Sequence, residues 1–160
     1  MVEMKVKGLA VDASTKMPVV VLTDAEERRY LPIWVGLFEA NAILMEFNGI
    51  KSPRPMTHDL MRNLIESLNG TVSKVVINAI HDNTFFARIF LDLKDKDQHP
   101  EVDARPSDAI ALALRLKVPI LVAENVVVEA TIMDKSKYEE ESKKFKQFLE
   151  HIKPEDFGAA

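Results

Sequence analysis

Residues 28–47, RRYLPIWVGLFEANAILMEF, change their apolar spacing at Gly36. Residues 28–35 have the aromatic and β-branched content of a strand. Pro32 cannot donate a ladder hydrogen bond, so this strand is expected at an edge or an irregular spot. After Gly36 the apolar residues recur every three or four positions, which is typical of a helix with one buried face. The stretch therefore predicts a strand that turns into a helix at a single glycine.

Two strands are predicted before this junction. Residues 2–7 alternate apolar and charged side chains, and the apolar parity changes after Gly8, which indicates a bulge or bend there. Residues 19–22 are continuously apolar and mostly β-branched, which predicts a strand buried on both faces.

The remainder adds helices and a hairpin. We predict a loop at 51–55, a second helix from an N-cap at Thr57, a hairpin of strands 72–80 and 84–93, a buried helix at 109–114 and a strand at 119–122. The apolar stripe of the second helix is formed by Leu60, Met61, Leu64, Ile65 and Leu68. This order of elements favours an α+β domain with a mixed β-sheet over strict βαβ alternation.

Length and composition limit the organisation and the setting. The 160 residues suit one domain, predicted at 1–132, followed by a C-terminal amphipathic helix and frayed tail at 133–160. The absence of cysteine excludes disulfides and thiolate metal sites. A net charge of −4 argues against a surface coated with basic charge, although nucleic acid stays possible as a partner. No apolar run has the length of a membrane span, so we expect a cytoplasmic protein without a membrane partner.

The segment Asp103-Ala-Arg-Pro-Ser-Asp108 stands directly before the most apolar predicted helix. Pro106 suits a first helical turn, where free N–H groups favour anions. Arg105 and Ser107 are therefore candidate phosphate ligands, and Asp103 and Asp108 are candidate catalytic groups and metal ligands. The alternative is a helix cap with a buried Asp–Arg pair that fixes the loop.

The segment Arg54-Pro-Met-Thr-His-Asp59 has a similar pattern before the second helix. Arg54 has the planar donor fork that suits phosphate. His58 titrates near neutrality and could carry a proton, and Asp59 could orient that histidine or bind a metal. The alternative is a capped helix with an idle, exposed His58.

Glu39 falls in the first turn of the helix that follows Gly36. A carboxylate at a junction between sheet and helix is a candidate catalytic group, because clefts form at such junctions. The simpler interpretation is a residue that complements the helix dipole.

Several of these segments together resemble the bifunctional nuclease domain family, over about residues 2–130. The resemblance rests on Leu31-Pro-Ile-Trp-Val-Gly36 with Glu39-Ala40, Arg54-Pro-Met-Thr-His-Asp-Leu60, Thr84-Phe-Phe-Ala87, Asp103-Ala-Arg-Pro-Ser-Asp-Ala-Ile110 and Pro119-Ile120. It implies a mixed-sheet α+β fold that self-associates, and hence a homo-oligomer. It also implies a nuclease, since DNase and RNase activity is attributed to plant members.

We therefore expect hydrolysis of DNA or RNA phosphodiester bonds. This chemistry requires an activated water and stabilisation of charge on the phosphoryl oxygens. Oxygen-rich candidate ligands favour a divalent cation, Mg²⁺ or Mn²⁺, and no sequence motif indicates an organic cofactor. The alternatives are a non-catalytic module that binds an anion or nucleic acid, and an oligomeric structural scaffold. The nuclease hypothesis requires the two Arg-Pro segments to lie together in space.

Overall fold

The strands and helices follow the order that the apolar spacing predicts. A computed structural model of the chain describes residues 1–130 together with Lys143, Gln147 and Glu150. The strands are β1 (Val2–Val11), β2 (Pro18–Asp24), β3 (Tyr30–Trp34), β4 (Gly70–His81), β5 (Thr84–Leu93), β6 (Glu101–Ala104) and β7 (Ile120–Val122). The helices are α1 (Leu37–Phe47), α2 (Thr57–Ser67), α3 (Pro106–Leu116) and α4 (Glu124–Glu129).

All seven strands belong to one mixed sheet in the order β3-β2-β1-β7-β4-β5-β6. The β7–β4 pair is parallel, and the other neighbouring pairs are antiparallel. The predicted α+β class with a mixed sheet is therefore confirmed.

Local features of the sheet follow the sequence closely. The register of β1 against β2 shifts between Val6 and Gly8, which is the predicted bulge. Every residue of β2 is buried, as its continuous apolar run indicates. Pro32 lies in β3, an edge strand, where its missing N–H costs no ladder bond.

Helix α3 occupies the centre of the helical layer. It contacts α1, α2 and the β4–β5 hairpin, and its residues Ala109–Ala113 are buried. Ala40 and Ile43 of α1 belong to the same hydrophobic core. Burying these apolar groups fixes the axes of the helices, and their N-terminal turns are positioned as a consequence.

Helix α2 differs from its prediction in two ways. Its N-cap is Met56 rather than Thr57, because the Asp59 carboxylate accepts the Met56 N–H at 3.0 Å. Part of its apolar stripe is exposed rather than packed: Leu60, Leu64 and Leu68 face solvent. Apolar spacing predicts an amphipathic face, but it does not say what covers that face.

Two predictions about the ends of the fold lie beyond these elements. The C-terminal helix at 133–160 falls outside the described residues apart from Lys143, Gln147 and Glu150, and the division at residue 132 stays a prediction.

Within the part of the chain that the structure describes, each helix is too short or too polar to cross a membrane.

Strands from both halves of the sheet border one cavity. One cavity of about 360 Å³ is lined both by Trp34 of edge strand β3 and by Thr84 and Phe85 of β5. Arg105 and Ser107, at the start of α3, line the same cavity. We call it the Trp34 cavity. The first helix junction and the third therefore border the same cavity.

Candidate functional site

Four charged or titratable side chains from three helix starts meet in one place. They are Glu39 of α1, His58 of α2, and Arg105 and Asp108 at the start of α3. We call this set the helix-start cluster. Its members are up to 69 residues apart in the chain, so only the packing of α1 and α2 against α3 assembles it.

Arg105 is the centre of the cluster. Its Nη2 lies 2.8 Å from Glu39 Oε1 and 2.9 Å from Asp108 Oδ2, and its Nε donates to the same Asp108 oxygen at 3.0 Å. Asp108 first, and then Glu39, raise the pKa of Arg105 above its ordinary value. The Arg105 side chain is nevertheless 66% exposed. The cluster therefore presents a permanently charged guanidinium to solvent.

Asp108 also holds His58. The His58 Nε2 lies 2.9 Å from Asp108 Oδ1, and because an ionised carboxylate only accepts, Nε2 carries the hydrogen in this pair. The exposed fraction is 6% for the His58 side chain and 25% for that of Asp108. Asp108 therefore faces solvent, while His58 supports it from the protein interior.

The sequence suggested that Asp59 orients His58, but the two side chains are not paired in the structure. Asp59 pairs with Arg115 of α3, whose Nε lies 2.7 Å from Asp59 Oδ1. Burial alone would raise the pKa of Asp59, but the Met56 N–H and the Arg115 guanidinium outweigh burial and hold it below its usual value. The orienting role that was expected of Asp59 thus belongs to Asp108.

The position of Glu39 depends on Gly36, the N-cap of α1. A methyl group added at Gly36 would overlap the Glu39 carboxylate. The backbone of Gly36 has a φ of −71°, which any residue can adopt. Glycine is therefore needed here for close approach, because it lets Glu39 fold back over the helix start towards Arg105.

Replacing Gly36 with alanine is expected to move the Glu39 carboxylate off Arg105. Since the carboxylate is the mobile end of a side chain, the free energy of unfolding should change by no more than about 1 kcal/mol. A crystal structure of the variant would show the Glu39 Oε1 to Arg105 Nη2 distance lengthened beyond hydrogen bonding. The control is Glu39→Gln, which keeps the side chain in place without its charge. An unchanged distance in Gly36→Ala would contradict this account.

The other predicted site residues lie outside the cluster. Asp103 is exposed on β6, opposite Arg88 of β5. Ser107 is buried and lines the Trp34 cavity. Arg54 is exposed in the loop before α2 and forms no hydrogen bond or ion pair with the residues that the structure describes. The two Arg-Pro segments therefore meet through His58 and Asp108, and not through both arginines.

The loop that carries Arg54 borders a second concave region. A cavity of about 450 Å³ is lined by residues that include Lys51, Arg62, Arg115 and Lys117, against the acidic Glu46 and Asp59. We call it the basic cavity. It is notable on a chain whose net charge is −4, because positive charge is concentrated where α1 and α3 end and α2 begins.

The donor set does not fit a preformed divalent-metal cage. The predicted ligands are dispersed: Asp59 binds Arg115, Asp103 lies on β6, and Asp108 is bound by Arg105 and His58. Throughout residues 1–130, no three histidine or acidic side chains are placed so as to hold one metal ion. In the cluster, the guanidinium of Arg105 already pairs with both carboxylates.

Sequence reasoning missed Arg115. Its side chain is 3% exposed and also donates to the Ala111 and Ala42 carbonyl oxygens, at 2.9 and 3.3 Å. One signal was present: Arg115 is the single charged residue between Ala109 and Leu116. A buried arginine requires a partner, but the sequence does not say which acid supplies it.

Comparison with known proteins adds a family match. The family model described as the bifunctional nuclease domain matches residues 20–135. This range contains all four residues of the helix-start cluster.

Individual relatives fall into two groups. An uncharacterized protein of Mycobacterium tuberculosis is 40% identical over 166 residues, which cover 98% of this chain and 98% of that protein. Bifunctional nuclease 2 of Oryza sativa subsp. japonica is 30% identical over 119 residues, covering 72% of this chain and 36% of that protein. Bifunctional nuclease 1 of Oryza sativa subsp. indica is 29% identical over 97 residues, covering 60% and 29%. The match therefore spans about a third of the plant proteins.

Proposed function

We propose that this chain, which belongs to the bifunctional nuclease domain family, hydrolyses phosphodiester bonds of DNA or RNA at the helix-start cluster. The observation that carries the proposal is the convergence of an exposed guanidinium, two part-buried carboxylates and a histidine beside an open cavity. The names of the plant relatives agree with this activity.

We propose a role for each member. Arg105 would contact the non-bridging phosphoryl oxygens and stabilise the charge that develops on them. Asp108 would accept a proton from the attacking water, whose oxygen forms the new bond to phosphorus as the ester bond breaks, and solvent water would protonate the leaving oxygen. His58 is too buried to meet substrate, so it acts as a positioning residue for Asp108. Glu39 holds the other edge of the Arg105 guanidinium.

No step of this mechanism is routed through a metal ion, because the described carboxylates do not form a cage for one. The requirement for Mg²⁺ or Mn²⁺ stays a separate prediction. Cleavage that EDTA removes and that added Mg²⁺ or Mn²⁺ restores would support it. Cleavage that persists in EDTA would contradict the cation requirement alone.

The proposal is tested with protein purified to homogeneity and a 5′-labelled single-stranded oligonucleotide. Cleavage should co-elute with the protein through two different columns and be lost at the protein's own unfolding temperature. Activity that separates from the protein, or that survives its unfolding, would belong to a contaminating nuclease and would refute the proposal.

The basic cavity favours a second candidate, a module that binds nucleic acid without cleaving it. Lys51 and Lys117 are exposed at this cavity, where they could neutralise backbone phosphates. Such a module would bind an oligonucleotide in a salt-dependent manner and leave it intact. The third hypothesis, a structural scaffold, requires both arginine-proline segments to be buried, and the exposure of Arg54 and Arg105 counts against it.

We further propose that the chain self-associates through α2. Leu60, Leu64 and Leu68 are exposed at every fourth position and so form one row on the helix. In an antiparallel pair of α2 helices about a two-fold axis, Leu64 would face its own copy and Leu60 would face Leu68. The row is thus self-complementary, as an isologous interface requires.

Replacing Leu64 with aspartate is expected to convert the oligomer to a monomer, because two carboxylates would face each other across the axis. Light scattering coupled to size-exclusion chromatography measures the mass directly. The control is Val128→Asp, which alters an even more exposed apolar residue on α4. A mass that is the same in Leu64→Asp and wild type would contradict an interface at this row.

A further inference from the structure

The Trp34 cavity has features that neither the helix-start cluster nor the basic cavity explains. Its volume of about 360 Å³ lies within the range of small-ligand sites. Its lining combines the polar Arg105 and Ser107 with the aromatic Trp34 and Phe85. A ligand that combines an anionic group with a flat apolar one would match this lining.

Trp34 is exposed and yet fixed in orientation. The residue is 46% exposed, and its indole Nε1–H donates a hydrogen bond to Asp12 Oδ2 at 2.7 Å. Asp12 is itself held, since its other oxygen accepts the backbone N–H of Ser14 at 2.9 Å and the Ser14 hydroxyl at 2.7 Å. Hydrogen bonds from Ser14, and to a smaller extent the one from Trp34, hold the pKa of Asp12 far below its ordinary value. The Asp12 carboxylate that anchors the indole therefore stays ionised.

A preoriented aromatic surface reduces the entropy that a ligand must lose on binding. Indole rings that remain open to solvent are platforms on which nucleobases stack, and stacking tolerates every base because each has a π-face. Asn83 lies in the β4–β5 turn and lines the same cavity. A carboxamide has both a donor and an acceptor, which suits the hydrogen-bonding edge of a base.

We infer that the Trp34 cavity binds one unstacked nucleobase of a single-stranded nucleic acid, with the base on Trp34 and the adjoining phosphate at Arg105. The inference rests on the proposed function for the identity of the substrate and deepens it by assigning the base site. A base inside a duplex is already stacked on its neighbours, so the cavity should favour single strands over duplexes.

Trp34 also provides the assay, because it is the single tryptophan of the chain. Titration with a single-stranded dodecanucleotide should quench its fluorescence, and a duplex of the same sequence should quench it more weakly at equal concentration. Fluorescence anisotropy of a labelled dodecanucleotide then compares variants that lack the tryptophan. We expect Trp34→Ala to weaken binding by about 5- to 100-fold and Trp34→Phe to restore part of that loss.

The matched control is Phe86→Ala. Phe86 is an exposed aromatic residue that neighbours Phe85 in β5 but contacts His81 and does not line the cavity. Its replacement should leave affinity unchanged. Equal affinity in Trp34→Ala and wild type, or equal affinity for single strand and duplex, would overturn the inference.

Binding and cleavage are measured separately, so the two proposals can fail independently. A protein that binds single strands through Trp34 without cleaving them would keep the base site and refute the nuclease. A protein that cleaves equally well without Trp34, and binds equally well, would refute the base site and keep the nuclease.

Discussion

Replacing Asp108 with asparagine is expected to lower the rate of oligonucleotide cleavage by about 100-fold or more. Groups that transfer protons or stabilise charge in the transition state contribute effects of this size. Asparagine keeps the shape of the side chain, but it cannot accept a proton from water and it weakens the hold on both Arg105 and His58. Single-turnover cleavage of a labelled oligonucleotide measures the rate without interference from product release.

Loss of activity through unfolding must be distinguished from loss of chemistry. The variant should unfold cooperatively, with a free energy of unfolding within about 1 kcal/mol of wild type, because the asparagine oxygen still accepts from His58 and the losses are a helix-dipole interaction and the charge of a pair with the exposed Arg105. Full cleavage activity in a folded Asp108→Asn protein would remove Asp108 from the mechanism.

Replacing Arg115 with methionine is expected to lower the free energy of unfolding by about 3–5 kcal/mol. Removal of one member of a buried ion pair leaves the other charge without compensation. Here the Asp59 carboxylate would lose its 2.7 Å partner, and the Ala42 carbonyl would lose a donor. Urea denaturation at neutral pH measures the difference.

The matched control is Arg88→Met. Arg88 forms a surface pair with Glu101 at 3.1 Å, and both side chains are about half exposed, so its loss should cost no more than about 1 kcal/mol. Equal losses for Arg115→Met and Arg88→Met would contradict a structural role for the buried pair.

The effect of Arg115→Met should also depend on pH. The pKa of Asp59 is lower in the folded protein than in the unfolded chain, so its contribution is present above the unfolded value of about 3.9 and is lost as the pH falls through the folded value. The stability gap between wild type and Arg115→Met should therefore narrow in acid. If the difference in the free energy of unfolding is constant from neutral pH down to strong acid, the effect of Arg115→Met comes from packing alone.

The fold could be predicted because apolar spacing directly records which face of each element is buried. Gly8 and Gly36 marked a bulge and a junction, because glycine tolerates irregular backbone and close approach, and Pro32 marked an edge, because proline has no N–H to donate. The exposure of Leu60, Leu64 and Leu68 on α2 could not be predicted in this way. These leucines have helical spacing whether a sheet or a second copy covers them.

The site could be predicted only in part, for a related reason. The positions of Glu39 and Asp108 in first helical turns were visible in the sequence, since helix starts attract carboxylates. The pairing was not, because Asp59 and Asp108 have similar local settings and differ only in which cation α3 places beside them. Arg115 was missed because its burial depends on partners from α1 and α2.

Whether cleavage takes place at the helix-start cluster is decided by a comparison of two carboxylate variants. Asp103 lies five residues before Asp108, on the exposed strand β6 and outside the cluster. Asp103→Asn and Asp108→Asn proteins, purified identically, would be assayed on one oligonucleotide. The account predicts that Asp103→Asn cleaves about 100-fold faster or more than Asp108→Asn. Equal rates in the two variants would contradict it.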